Sequence, residues 1–144
     1  MDRPGILSTL ESALYADDLA AAAAFWENVM GLERIALVPD RHVFYRVGSG
    51  VLLIFRAEAT QVAPASDARL PVLPHGATGP GHYCMAVSGK DLDGWRAWLE
   101  GQGIAIEADF TWPKGGQSPE GRSIYFRDPA GNSIELADPR IWDR

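Results

Sequence analysis

A chain of 144 residues, 47% apolar and 22% charged, has material for one compact domain or two small halves sharing a core, and is too apolar for global disorder. Its formal net charge of −6 argues against nucleic acid and anionic membrane surfaces, which both need a basic face, yet leaves room for a small anion held by one Arg or Lys. The single cysteine, Cys84, cannot form an intrachain disulfide, MDRPGIL lacks the marks of a signal peptide, and the apolar run LAAAAAFW is far short of the ~20 residues that span a bilayer, so a cytoplasmic protein is expected.

Residues 8–16, STLESALYA, read as a strand. Asp17 and Asp18 then supply helix-start chemistry, and a helix of Ala, Phe and Trp runs to Met30, where Gly31 caps it. ERIALVP, HVFYRV and GVLLIFRA follow as short strands rich in β-branched and aromatic residues, separated by Pro39-Asp40 and Gly48-Ser49-Gly50. Residues 58–79 hold Pro64, Pro71 and Pro74 and read as a linker, with His75 at the surface. The order then restarts: GHYCMAV as a strand, Asp91 to Gln102 as a helix with a Leu92/Trp95/Leu99 stripe, and strands at IAIEADF, SIYFR and NSIEL.

The restart is an internal repeat. Glu11 and His82 are 71 residues apart, Trp26 and Trp98 are 72 apart, Asp18 and Asp91 are 73 apart, and Phe44-Tyr45-Arg46 meets Tyr125-Phe126-Arg127 at 81. The larger spacing places an insertion in TWPKGGQSPEG, a loop expected to cover a pocket. The expected fold is α+β: a first βαβββ module over 1–57, the linker, and a second βαβββ module over 80–144. Each is too small to bury its sheet alone, and together they form a cupped, half-barrel mixed sheet with helices outside.

Strand alternation selects the chemistry. Glu135 lies inside an apolar strand, where an unpaired carboxylate is costly, so it needs a cation. Arg46, Arg56 and Arg127 are candidate partners. The alternative is a metal, because Glu135 shares the small-residue face of its strand with Ser133 and Ala137, and His82 shares a face with Cys84 and Ala86. Glu11 is the repeat partner of His82. The partner of Glu135, counted by the same spacing of 81, is Ile54, which cannot bind metal. Two oxygens and one nitrogen from Glu11, His82 and Glu135 suit a divalent ion with open positions. Cys84 faces the proposed cavity, more readily as a small buried thiol than as a nucleophile.

LYADDLAAAAAFWENVMGLE in the first half, with GPGHYCMAV and GRSIYFRDPAGNSIEL in the second, resembles the vicinal oxygen chelate superfamily, which includes glyoxalase I, bleomycin-resistance proteins, fosfomycin-inactivating enzymes and extradiol dioxygenases. The resemblance implies paired βαβββ modules around a divalent metal (Fe, Mn, Zn or Ni), with His82 and Glu135 on usual ligand positions. Glu11 stands where His is common, and Ile54 stands at the fourth-ligand position, which weighs against glyoxalase I activity. It also implies a small oxygenated substrate chelated through vicinal oxygens and a homodimer. Trp112, Lys114, Ser118, Arg46 and Cys84 are candidate substrate contacts; no residue is assigned a catalytic base. The alternative is a bleomycin-resistance-type protein that sequesters a small molecule without catalysis; a third is a degenerate member with a structural role.

Overall fold

The computed structural model describes residues 1–113 and 120–143. The chain divides into two units, Met1–Ala77 and Thr78–Arg144. Each carries one four-stranded sheet, and the βαβββ pattern appears twice, as the repeat predicts.

In the first unit, β1 (Glu11–Tyr15) leads into α1 (Leu19–Ala24), and β2 (Glu33–Val38), β3 (His42–Val47) and β4 (Gly50–Phe55) complete the sheet in the order β1-β4-β3-β2. β1 runs parallel to β4, and the other pairs are antiparallel. β1 is shorter than the sequence suggests: residues 1–10 carry no regular structure and are exposed. Asp18 caps α1, its Oδ1 accepting from the Ala21 amide at 3.0 Å.

The expected single helix to Met30 changes character at Phe25. Residues Phe25–Val29 form a π turn, with the Met30 amide donating to the Phe25 carbonyl five residues back. An α-helix turns neighbouring side chains about 100° apart. Here the consecutive Phe25 and Trp26 are both buried, packed edge-to-face at 5.2 Å, and the widened turn accommodates two large rings on the core side. Gly31 then adopts φ +71° and closes the helix as anticipated. The core of this unit is Trp26, Val43, Tyr45, Leu52 and Ile54, all at or below 1% exposure, with α1 lying on β3 and β4.

Beyond β4 the chain forms α2 (Ala57–Thr60) and then the Pro-rich segment. That segment is tethered: the Thr60 hydroxyl donates to the His75 carbonyl at 2.7 Å, the His75 amide donates to the Thr60 carbonyl, and Tyr15 Oη lies 2.7 Å from His75 Nδ1. The His75 ring packs edge-on against Phe55 at 4.5 Å. His75 is thus an anchor of the segment, not the free surface residue expected. Flanking Pro and Gly hid this, because the ring's partners, Tyr15 and Phe55, are distant in sequence.

The second unit repeats the scheme with β5 (His82–Ala86), α3 (Leu92–Gly101), β6 (Ala108–Thr111), β7 (Arg122–Arg127) and β8 (Ser133–Ala137), in the order β5-β8-β7-β6. Leu92 and Leu99 are the fully buried members of the α3 stripe. They meet Ile124, Phe126, Ile134 and Leu136, also buried, on the helix-facing side of the sheet, where α3 lies against β7. β6 starts later than expected; of the run before it, Glu107 still donates its amide to the Tyr125 carbonyl at 2.8 Å.

A charge cluster ties α3 to the strands. Asp109 accepts from Arg96 Nη1 at 2.6 Å and from Arg122 Nε and Nη2 at 2.7 and 2.8 Å. The Arg122 hydrogen bonds, then those from Arg96, hold the Asp109 carboxyl well below the usual carboxylate range, at about 2. Because the folded value lies below the unfolded one, this stabilisation is complete above the ordinary carboxylate pKa and is lost as pH falls towards 2. Asp109→Asn is expected to lower stability at pH 7 by about 1–2 kcal/mol after solvent screening. The deficit relative to the parent should shrink steadily below pH ~4 in denaturant titrations; a pH-independent deficit would show that packing, not charge, is responsible.

Candidate functional site

The strand ladders correct one expectation before any side chain is considered. Ala13 pairs with Leu53 and Phe44 pairs with Leu53; in the second unit Cys84 pairs with Glu135 and Tyr125 pairs with Glu135. With Ala13 matching Cys84 and Phe44 matching Tyr125, the equivalent of Glu135 is Leu53, not Ile54. The β7–β8 turn is one residue longer than the β3–β4 turn, and a one-residue change moves every later side chain to the other face. Ile54 belongs to the core with Leu52, whereas Leu53 lies on the face that corresponds to Glu135. The position remains apolar and supplies no metal ligand.

Glu135 is 5% exposed on β8, beside groups from the other three strands of its sheet or their flanks. Its Oε2 accepts from the Ser123 hydroxyl at 2.7 Å. Ser123 Oγ in turn accepts from the Trp112 indole Nε1–H at 2.9 Å. An indole N–H can only donate, so the chain has a fixed direction: Trp112 to Ser123 to Glu135. It occupies Oε2 and leaves Oε1 facing His82 Nε2 at 3.3 Å.

His82 Nδ1 lies 3.1 Å from the Ser133 carbonyl. A carbonyl accepts, so Nδ1 carries a proton, and the neutral ring then has its lone pair on Nε2. Nε2 and Oε1 are therefore two electron-rich atoms facing each other. They are reconciled by a cation, either a second proton on the imidazole or a metal ion. A ring whose Nδ1–H is fixed by a backbone carbonyl and whose Nε2 faces a carboxylate oxygen is prepared for ligation. None of the arginines considered as partners is involved among the described residues: Arg127 binds Glu107 and the Gly131 carbonyl, Arg56 binds Glu58 and the Asp40 carbonyl, and Arg46 donates to the Gly50 carbonyl.

The carboxylate also governs its neighbours. Burial, followed by hydrogen bonding to Glu135 and its charge, pushes the Tyr125 hydroxyl up to about 12. Cys84 is exposed on β5, not the buried thiol expected; partial desolvation first, and the Glu135 carboxylate second, still push its thiol up to about 12. At neutral pH Tyr125 is a neutral hydroxyl and Cys84 an inert thiol, so nucleophilic thiolate chemistry has no support. Beside this centre runs a row of rings. His82 and Tyr125 are stacked at 6.2 Å, Tyr125 and Phe110 at 5.6 Å, and Phe110 meets Trp112 edge-on at 5.0 Å. Phe110 is 40% exposed, so the row presents a face to solvent.

Ser123 and Tyr125 were not singled out from the sequence. The signal was available in SIYFR, where they alternate with the core residues Ile124 and Phe126 and therefore share the face of Glu135. Glu11 lies on β1, exposed, with no hydrogen bond or ion pair among the described residues. Arg46 is exposed on β3. Lys114 and Ser118 lie outside the described residues. Among the described residues no three His, Cys, Asp or Glu side chains are grouped to hold a metal. His82 and Glu135 fit such an ion as a nitrogen–oxygen pair, and further donors have to be added to it.

Ser123→Ala isolates the relay. It leaves the buried Oε2 and the Trp112 N–H without their partner, and the expected cost is about 1–3 kcal/mol in thermal or chemical unfolding. Ser123→Thr keeps the hydroxyl and should restore most of it. Equal losses in both variants would point to packing instead of the hydrogen bond.

Two βαβββ modules with an acid–histidine pair on the second define a class, the glyoxalase-type fold. The family model described as the Glyoxalase/Bleomycin resistance protein/Dioxygenase superfamily matches residues 7–136, and the chain belongs to that superfamily, a vicinal oxygen chelate protein as the sequence resemblance implied. The solved structures include a lactoylglutathione lyase from Agrobacterium tumefaciens, 38% identical with a TM-score of 0.86, the match covering 95% of this chain and 97% of that one. They also include a fosfomycin resistance protein from Listeria monocytogenes, 19% identical with a TM-score of 0.64, covering 93% and 92%. The same Listeria protein complexed with Mn(II) and sulfate ion matches at 18% identity and a TM-score of 0.60, covering 91% and 88%. These last two likenesses show the fold alone. A comparison with curated proteins gives no match. No helix among the described residues is long and apolar enough to cross a membrane.

Proposed function

We propose that the chain is a metal-dependent enzyme acting on a small oxygenated molecule that presents two vicinal oxygens. The observation that carries this reading is the approach of His82 Nε2 to Glu135 Oε1 at 3.3 Å, with the far side of each group already fixed by Ser133 and Ser123. His82 and Glu135 would hold a divalent ion (Fe, Mn, Zn or Ni), and Glu11 would complete the protein's share. Such an ion supplies Lewis acidity towards an enolate, alkoxide or peroxide-like species. The chain's own residues bind and orient the substrate. The Trp112–Ser123 relay holds Glu135 in one rotamer, Tyr125 offers a neutral hydroxyl beside it, and the exposed ring row gives the substrate's apolar part a surface. Leu53 in place of a fourth ligand leaves coordination positions to water and substrate, and speaks against the lactoylglutathione lyase activity that the Agrobacterium protein's name carries.

The rival is a sequestering protein of the bleomycin-resistance type, favoured by the absence of a three-residue ligand group among the described residues. Elemental analysis of protein purified without added metal, followed by titration with Mn, Fe, Zn and Ni salts, separates the two. Stoichiometric or saturable binding supports the enzyme; no binding of any of the four removes it.

We further propose a cytoplasmic homodimer. Ile35 and Leu37, on the edge strand β2, are 43% and 47% exposed, and Ile6, Leu7 and Leu10 are more exposed still. Apolar surface of this kind is usually covered by a partner. Light scattering at micromolar concentration should give twice the chain mass; a monomer would remove the claim.

A further inference from the structure

The first unit contains a cavity of about 480 Å³ whose lining lies wholly within residues 41–72. Its size falls within the range of small-molecule sites. One wall is the start of β3, with Arg41 and His42; the others come from α2 and the segment after it, including Val62, Pro64, Leu70 and Val72. Thr60 and His75, which flank that segment, are hydrogen-bonded to each other, so its two ends are held together.

Three features give it a chemical preference. Val62, Leu70 and Val72 are 70%, 76% and 58% exposed, an apolar lining open to a ligand. Arg41 is half-buried and has no acidic partner among the described residues; one Nη1–H donates to the Ala59 carbonyl at 3.3 Å and the remaining guanidinium donors are uncommitted. This is unusual in a chain of net charge −6, whose other arginines in this unit from Arg34 to Arg56 include two with carboxylate partners. His42 stacks on Phe44 at 4.0 Å and 9°, and its Nδ1 is buried without a hydrogen-bond partner. Burial, and then the Arg41 charge, lower its pKa, so the ring is neutral at pH 7 and leaves Arg41 as the one cation of the lining.

We propose that this cavity binds a small organic carboxylate, its anionic group on Arg41 and its apolar body against Val62, Leu70 and Val72. A guanidinium matches a carboxylate through paired N–H donors, and partial desolvation strengthens the contact. The proposal does not depend on the metal reading, since no residue is shared.

The test uses the full-length protein with 3-phenylpropionate and its neutral amide, followed by calorimetry and amide NMR shifts. The carboxylate should bind saturably and at least about tenfold tighter than the amide, as expected for one charged hydrogen-bonded contact. Arg41→Gln should erase that difference while leaving the fold intact, and Val62→Asp, which places a carboxylate in the lining, should abolish binding. The shifts should cluster at residues 41–72. Equal affinity for acid and amide, or shifts clustered around Glu135, would overturn the proposal. So would absence of binding together with dissociation of a dimer by Val62→Asp, since a second copy would then occupy this surface.

Discussion

Glu135→Ala should reduce affinity for a divalent cation by more than about 100-fold, beyond the roughly 10–100-fold that loss of a supporting outer-shell group costs. The carboxylate is the sole acid aimed at His82 Nε2 among the described residues, and its other oxygen is already taken by Ser123. His82→Ala should be equally severe, because it removes the nitrogen whose tautomer is fixed by Ser133. Glu11→Ala should weaken binding less: Glu11 is exposed and unsupported, so it enters coordination at a greater entropic cost. Glu135→Gln is the control for shape, since the amide oxygen still accepts from Ser123 while the charge is gone. Competition with a chromogenic chelator reads all four variants, with circular dichroism confirming folding. Unchanged affinity in folded Glu135→Ala protein would end the metal reading and promote the sequestering one.

Much of this centre was legible because the informative features are local. Alternation along HYCMA and SIEL places His82 and Glu135 on small-residue faces without reference to any other strand, and the repeat of DL, W and G at nearly constant spacing marks two modules. What failed was counting across a turn. The spacing of 81 holds through β3 and β7 but becomes 82 in β4 and β8, so a constant spacing points to Ile54 where the match is Leu53; ladder pairing, which sequence does not display, fixes the register. The π turn at Phe25 was hidden for a related reason, since FW followed by Met30 fits an α-helix until both rings must be buried together. Ser123 illustrates a third limit. Its importance comes from lying between Trp112 and Glu135, eleven and twelve residues away, and no short motif encodes a relay.

Asn132→Ala should cost about 2–5 kcal/mol, the largest loss expected from a single polar substitution outside the relay. Asn132 is 3% exposed and lies at the end of the DPAGN turn. Its side-chain Nδ2 donates to Asp128 Oδ2 at 2.9 Å, and its backbone amide donates to Asp128 Oδ1 at 2.8 Å. Asp128 is itself 5% exposed, so its charge relies on these donors. The Asn132 Oδ1 accepts from the Gly81 amide at 2.7 Å, and the Ser133 amide returns a bond to the Gly81 carbonyl at 2.9 Å. The residue thus clamps the start of β5 to the start of β8, one position before His82 and one before Ser133, whose carbonyl fixes the imidazole. Alanine leaves a buried carboxylate short of one donor and a backbone N–H without an acceptor. The consequence should appear twice: as a lower unfolding midpoint and as weaker metal binding, because His82 loses its alignment with Glu135. Gly131→Ala provides the contrast. Gly131 has φ +87° and open space around its Cα, so that change should cost only about 1–2 kcal/mol of backbone strain and leave metal affinity nearly intact. If Asn132→Ala is no more costly than Gly131→Ala, the side chain is not the clamp, and the register of β5 on β8 is set by packing beneath the sheet.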